Sequence, residues 1–117
     1  MKFSDLKFGS ITIDGKVYTE DIIIDRGKVR IRDSRPSEIF KNTFSHTPLS
    51  AAEDIPWNCK TLLVGTGMSG MLKVMEDVRQ EAKNREVKLV IKPTPDIFEL
   101  IKEGIPKETN VILHLTC

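Results

Sequence analysis

The sequence predicts an α/β fold: a mixed sheet with helices packed on it and an antiparallel β meander on its N-terminal side. Three observations predict it. Two hairpin turns, Asp14-Gly15 and Arg26-Gly27, punctuate the N-terminal region. From residue 61 onward, short apolar runs alternate with segments of helical periodicity. The length of 117 residues, with 39% hydrophobic and 30% charged side chains, suits one domain (1–117) with one core.

The N-terminal third reads as β structure. SITID, Asp14-Gly15 and KVYTE form a hairpin signal, because Asp-Gly suits a two-residue type I′ turn with positive φ at both positions. DIIID, Arg26-Gly27 and KVRIR repeat the pattern with Gly27 as turn residue. Alternation places Val29 and Ile31 on one side and Lys28, Arg30 and Arg32 on the other. The expectation is a meander through about residue 33. The stretch 33–60 carries polar breakers, aromatics and prolines. Within it, Thr47-Pro48 fits an N-cap and first helical position, opening a short helix through Ala51, Ala52 and Glu53 that Pro56 stops. A connection this long in a compact domain is often functional.

The second half reads as β-α-β-α-β. Thr61 to Val64 is a short buried strand. Met71, Val74, Met75, Val78 and Ala82 recur at helical spacing, which predicts a helix over 69–84. Val87 to Ile91 is the next strand. Thr94-Pro95-Asp96 opens a second helix with a cap, a proline at its first position and an acid near the positive end of the dipole. Gly104 closes that helix, and Asn110 to Leu115 is the last strand. Strands joined through helices run parallel, with right-handed crossovers.

Gly65-Thr66-Gly67-Met68-Ser69-Gly70 matches the dinucleotide fingerprint G-x-G-x-x-G between a strand and a helix. Free amides and the dipole at such a helix start attract an anion. The fingerprint also wants an acid about twenty residues on, at the end of the second strand. That strand ends Ile91-Lys92-Pro93, with no acid. Met71 follows Gly70 where a phosphate-binding P-loop needs lysine. Two readings stand: a tight βα turn, or a small-anion site at Gly65, Gly67, Met68 and Ser69, with His46 nearby if the 33–60 segment folds back.

Other constellations are sparse. Lys28, Arg30, Arg32 and Arg35 form the one basic cluster, without interleaved aromatics for base stacking, so nucleic acid is not the expected partner. A formal net charge of +1 gives no global field toward nucleic acid or membrane. His114 sits in an apolar strand, with Cys117 three residues on, and no orienting partner for a Cys-His pair is visible. Ser69 is more simply an N-cap than a nucleophile. Met68, Met71 and Met75 read as core filler. Cys59 and Cys117 are far apart, and two cysteines with two histidines lack zinc spacing, so no metal or other cofactor is implied. The N-terminus lacks a long apolar signal segment, and the expected location is cytoplasmic.

Several short stretches together resemble the Mth-domain family, which includes an adipogenesis-associated cytosolic protein and, more distantly, a mitochondrial assembly factor for respiratory complex I. His46-Thr47-Pro48 resembles its His-Ser-Pro, and Thr61 to Ser69 its Gly-x-Gly turn with Leu72-Lys73-Val74 following. Thr94-Pro95 resembles the Thr-Pro of the assembly factor, and His114-Leu115-Thr116-Cys117 the His-x-Thr-Cys ending of the cytosolic member. The resemblance implies a three-layer fold around a mixed central sheet. It carries no catalytic residues and implies a non-enzymatic protein-binding or assembly module. The alternative is a small anionic ligand-binding protein built on the glycine loop. A strand-edge homodimer is compatible with either.

Overall fold

The computed structural model describes residues 1–44 and 46–117. Its strands fall into two sheets. β1 (Phe3–Lys7), β2 (Ser10–Ile13) and β3 (Lys16–Tyr18) form a three-stranded antiparallel sheet. β4 (Ile22–Asp25), β5 (Lys28–Ile31), β6 (Thr61–Thr66), β7 (Lys88–Lys92) and β8 (Thr109–His114) form a mixed sheet in the order β5-β4-β8-β6-β7. Both expected hairpins form. Asp14 and Gly15 have φ of 50° and 80°, and Arg26 and Gly27 have 49° and 79°, the positive pairs that a type I′ turn needs.

The expected continuous meander is broken between these hairpins. Ile22, Ile23 and Ile24 are all buried, so β4 needs cover on both faces and joins the central sheet. β2 buries Ile11 and Ile13 but leaves Ser10 and Thr12 partly open, so its sheet needs cover on one face only. It becomes a lid.

The central sheet carries a core on each face. On one, Phe3, Ile11 and Ile13 of the small sheet and Ile97 and Ile101 of α3 (Thr94–Ile101) pack over Leu63, Val111 and Leu113. On the other, Val78 and Ala82 of α2 (Glu76–Asn84) pack with Leu49, Ile55 and Leu72 over Ile23, Val64 and Ile112. The result is three layers around a mixed sheet, with β6 parallel to β7 and β8 as the β-α-β-α-β pattern requires. No helix among the described residues is long and apolar enough to cross a membrane.

Three expected elements differ. The helix expected over 69–84 begins only at Glu76. The chain from Gly67 to Gly70 is a turn and the stretch on to Met75 is non-helical, because its amides find partners elsewhere: Met71 N–H donates to the Cys117 carbonyl, Leu72 to Thr66, and Val74 bridges Leu49. The helix expected from Thr47 is absent. Leu49 donates to Lys73 and accepts from Met75, so tertiary pairing overrides the proline signal. Helical turns occur earlier in that segment, as a 3₁₀ helix over Arg35–Phe40 running into α1 (Lys41–Phe44). Finally, α3 starts as expected with Pro95 in its first turn, but Thr94 makes no cap bond. Its hydroxyl donates to the His114 carbonyl and accepts from Gly67 N–H.

Candidate functional site

Strand register builds the site. In β4 and β8, Ile22 lies opposite Leu113; in β4 and β5, Ile22 lies opposite Ile31. One residue further, Asp21, Arg32 and His114 fall in a row across three adjacent strands. Thr66 of β6 lies opposite His114 at the end of that row. Opposed residues share a face. Alternation puts the row on the α2 side, because Ile23 and Ile112 belong to that core.

The row is wired by hydrogen bonds. The Asp21 carboxylate accepts from His114 Nδ1 at 2.7 Å, from Arg32 NH1 at 2.8 Å and from the Leu115 amide at 3.0 Å. Arg32 is held from behind by Glu53 in a two-pronged pair, Nε to Oε1 at 2.8 Å and NH2 to Oε2 at 2.9 Å, and by the Pro48 carbonyl. Both side chains of that pair are 3% exposed, so the attraction acts in a low dielectric. Ser37 donates to Glu53 and meets Ser50 Oγ at 2.7 Å. Every buried side-chain polar atom among the described residues has a partner. Burial alone would push the Asp21 carboxyl up. The His114 bond, the Leu115 amide and the charges of His114 and Arg32 outweigh it and hold Asp21 below the usual carboxylate range. Arg32 is held above its ordinary value, because Glu53 and Asp21 outweigh the cost of burying it.

In front of this network lies a cleft of about 310 Å³. Arg32, Lys41, His46 and His114 line it, together with Asp21. Thr116 and Cys117 line it as well, and the Thr116 hydroxyl lies 3.2 Å from His114 Nε2. Its place in the topology is one where open α/β sheets bind ligands. The two crossovers part at β6: α2 covers one face on the way to β7, and α3 covers the other on the way back to β8. The crevice outside the carboxyl ends of such diverging strands is the usual ligand position.

Of the residues the sequence nominated for an anion site, His46 lines this cleft and Gly65, Gly67, Met68 and Ser69 do not; Arg32, His114 and Cys117, weighed in other constellations, line it as well. Gly65 and Thr66 belong to strand β6, and α2 begins only at Glu76, so the glycine loop does not open a helix. Its amides are used inside the fold. Gly67 N–H donates to Thr94 Oγ1, Met68 to the Thr116 carbonyl and Gly70 to the Gly67 carbonyl.

The glycines have other reasons. A Cβ on Gly65 would meet Thr94 Oγ1 at 2.7 Å and Leu113 Cδ2 at 2.9 Å, so Gly65 admits the start of α3. Gly67 has φ +106°, and a Cβ there would lie 2.6 Å from the Cys117 carbonyl carbon and 2.7 Å from His114 Cδ2. The glycine turn therefore serves to seat His114 and residues 115–117.

The basic stripe also dissolves. Arg32 is buried, Arg30 pairs with Asp54 at 3.2 Å, and Arg35 pairs with Asp33 at 2.8 Å. What sequence reading missed was Asp21 as the partner of His114. The two are 93 positions apart, and only the β4–β8 pairing joins them.

No family model matches the chain, and no curated protein does. Solved structures do. The chain is similar to the conserved hypothetical protein PH1505 from Pyrococcus horikoshii OT3, at 28% identity over 100% of both chains with a TM-score of 0.82. It shares its fold with a structure named MT938, at 20% identity over 99% of this chain and 98% of the other, with a TM-score of 0.68. The same fold recurs in an outer membrane protein from Bartonella henselae, at 12% identity over 98% and 94%, with a TM-score of 0.62. These likenesses establish the compact α/β architecture.

Proposed function

We propose that this chain is a small-ligand protein and that the ligand is an anion held in the cleft at the carboxyl ends of β6 and β8. The observation that carries the reading is the convergence of Arg32, Lys41, His46 and His114 on one cleft. Its volume falls at the small end of the range for ligand pockets, about 300–1,000 Å³. Lys41 supplies a mobile point charge, and Arg32 is fixed in place by Glu53. The anion belongs here rather than on the glycine loop, whose Gly67, Met68 and Gly70 amides already have partners. Calorimetric titration with inorganic phosphate and short dicarboxylates tests this. Saturable binding that Lys41→Gln weakens supports the reading; heats that are absent, or indifferent to Lys41→Gln, overturn it.

A second reading, the protein-binding or assembly module implied by the Mth-domain resemblance, is favoured by Ile39. That side chain is 80% exposed on the 3₁₀ helix, between Ser34 and Lys41 of the cleft wall. A partner docking there would cover Ile39 and the cleft mouth together. Ile39→Asp then abolishes a stoichiometric complex without unfolding the chain, and a complex that survives it removes this reading. The unpaired thiols of Cys59 and Cys117 support a reducing, cytoplasmic setting.

A further inference from the structure

The Asp21–His114 pair goes beyond what holding an anion requires. An anion calls for donors, and Lys41 with the other N–H groups lining the cleft supplies them. A carboxylate set behind an imidazole serves another purpose: it fixes the tautomer and stabilises the protonated ring. Asp21 is ionised, acceptor-only and already bonded by Arg32 and the Leu115 amide. His114 Nδ1 at 2.7 Å therefore carries the proton of that bond. In the neutral ring this leaves the lone pair on Nε2, the nitrogen that meets Thr116 Oγ1 at 3.2 Å beside the cleft. A base oriented by a third group and within reach of a hydroxyl is the arrangement that general-base catalysis uses.

We propose that His114 is a general base that removes a proton from a hydroxyl group of the bound anion. The inference rests on the anion reading of the cleft and adds the ligand's chemistry: a hydroxylated anion. In the step, the substrate O–H bond breaks, its proton forms a bond to Nε2, and the electron pair stays on oxygen as an alkoxide. The imidazolium so formed is neutralised by Asp21, and no oxidant or reductant is involved. Asp21, Arg32 and Glu53 are positioning residues that act through the ring.

Asp21→Asn shows why the carboxylate matters. Three donors converge on Asp21: His114 Nδ1, Arg32 and the Leu115 amide. His114 and Arg32 share Oδ2 and Leu115 holds Oδ1, so a carboxamide keeps its oxygen toward His114 and Arg32 and turns its NH₂ to the Leu115 amide. The Nδ1 proton stays in place, and the ring loses only the negative charge behind it.

Diethyl pyrocarbonate acylates an unprotonated imidazole nitrogen, so it reports the Nε2 lone pair without any substrate. The experiment treats the full chain at neutral pH and locates modified histidines by peptide mapping. His114 is expected to be acylated in the wild type and no slower in Thr116→Val, and Asp21→Asn, which keeps the Nδ1 proton in place, leaves it reactive. His46 serves as the internal control among the variants without phosphate, and phosphate is expected to protect it together with His114. Ring-nitrogen NMR of the wild type is the second measurement, independent of whether Asp21→Asn folds, and the Nδ1–H tautomer is expected. An Nε2–H tautomer, or a His114 inert in both wild type and Thr116→Val, overturns the proposal. Inorganic phosphate is expected to protect His114. A reactive His114 in the Nδ1–H tautomer that phosphate does not protect refutes the anion reading while upholding the oriented base.

Discussion

Replacing Gly67 with alanine tests how the glycine turn serves the site. Two costs add. The φ of +106° is strained for any residue with a Cβ, at about 1–2 kcal/mol. The new methyl would also sit 2.6 Å from the Cys117 carbonyl carbon and 2.7 Å from His114 Cδ2, so residues 114–117 must retreat. Retreat loosens two backbone bonds, Met68 N–H to Thr116 at 2.7 Å and Met71 N–H to Cys117 at 2.8 Å. At about 0.5–1.5 kcal/mol each, the total comes to about 2–5 kcal/mol. Gly15→Ala is the control. Its φ is +80° with nothing within 4 Å of the new Cβ, so it carries the strain alone, about 1–2 kcal/mol. Urea unfolding of both variants separates the terms, provided the slope m is unchanged. Equal destabilisation of the two, with His114 ring resonances unmoved in Gly67→Ala, would refute the claim that Gly67 seats the 114–117 segment.

Further outcomes follow from the same network. Glu53→Ala strands the Arg32 charge in a 3% exposed site with Asp21 and one carbonyl, and denaturation should show a loss of about 3–5 kcal/mol. A loss below about 1 kcal/mol would mean that water reaches Arg32. The depressed Asp21 carboxyl gives a pH signature. Its stabilisation is fully present above the ordinary value of 3.8 and is lost as pH falls through the lower folded value. The stability gap between wild type and Asp21→Asn should therefore close as pH falls below about 3.8, and a gap that widens there would contradict it. Lys41→Gln should weaken phosphate binding by about tenfold, the worth of one charge-assisted hydrogen bond, whereas Lys28→Gln should leave it unchanged.

Local chemistry was legible in the sequence where local chemistry decides. Asp14-Gly15 and Arg26-Gly27 set their turns through backbone preference, and the apolar runs of β6, β7 and β8 set a parallel sheet through the helices between them. Where a distant partner competes, the sequence misleads. Met71 and Val74 have helical spacing, yet Met71 is tied to Cys117 and Val74 to Leu49, so that turn of helix never forms. The alternation of Lys28, Arg30 and Arg32 suggested one basic cluster on a strand face, yet Glu53 holds Arg32 inside. The candidate site was the least legible part. Asp21, Arg32 and His114 come from three strands, and only the pairing register aligns them. His46 was reached by analogy and by the idea of a folded-back segment, and it does reach the cleft, though not the glycine loop.

The central claim is that the cleft, not the glycine loop or the hairpin cations, receives an anion. Amide-resolved NMR during titration with inorganic phosphate tests it most directly. The account predicts saturable shifts at His46, His114 and Thr116, with Gly65, Ser69, Lys28 and Arg30 unmoved. Shifts that saturate at Gly65 and Ser69 instead, or none at millimolar phosphate, would contradict it.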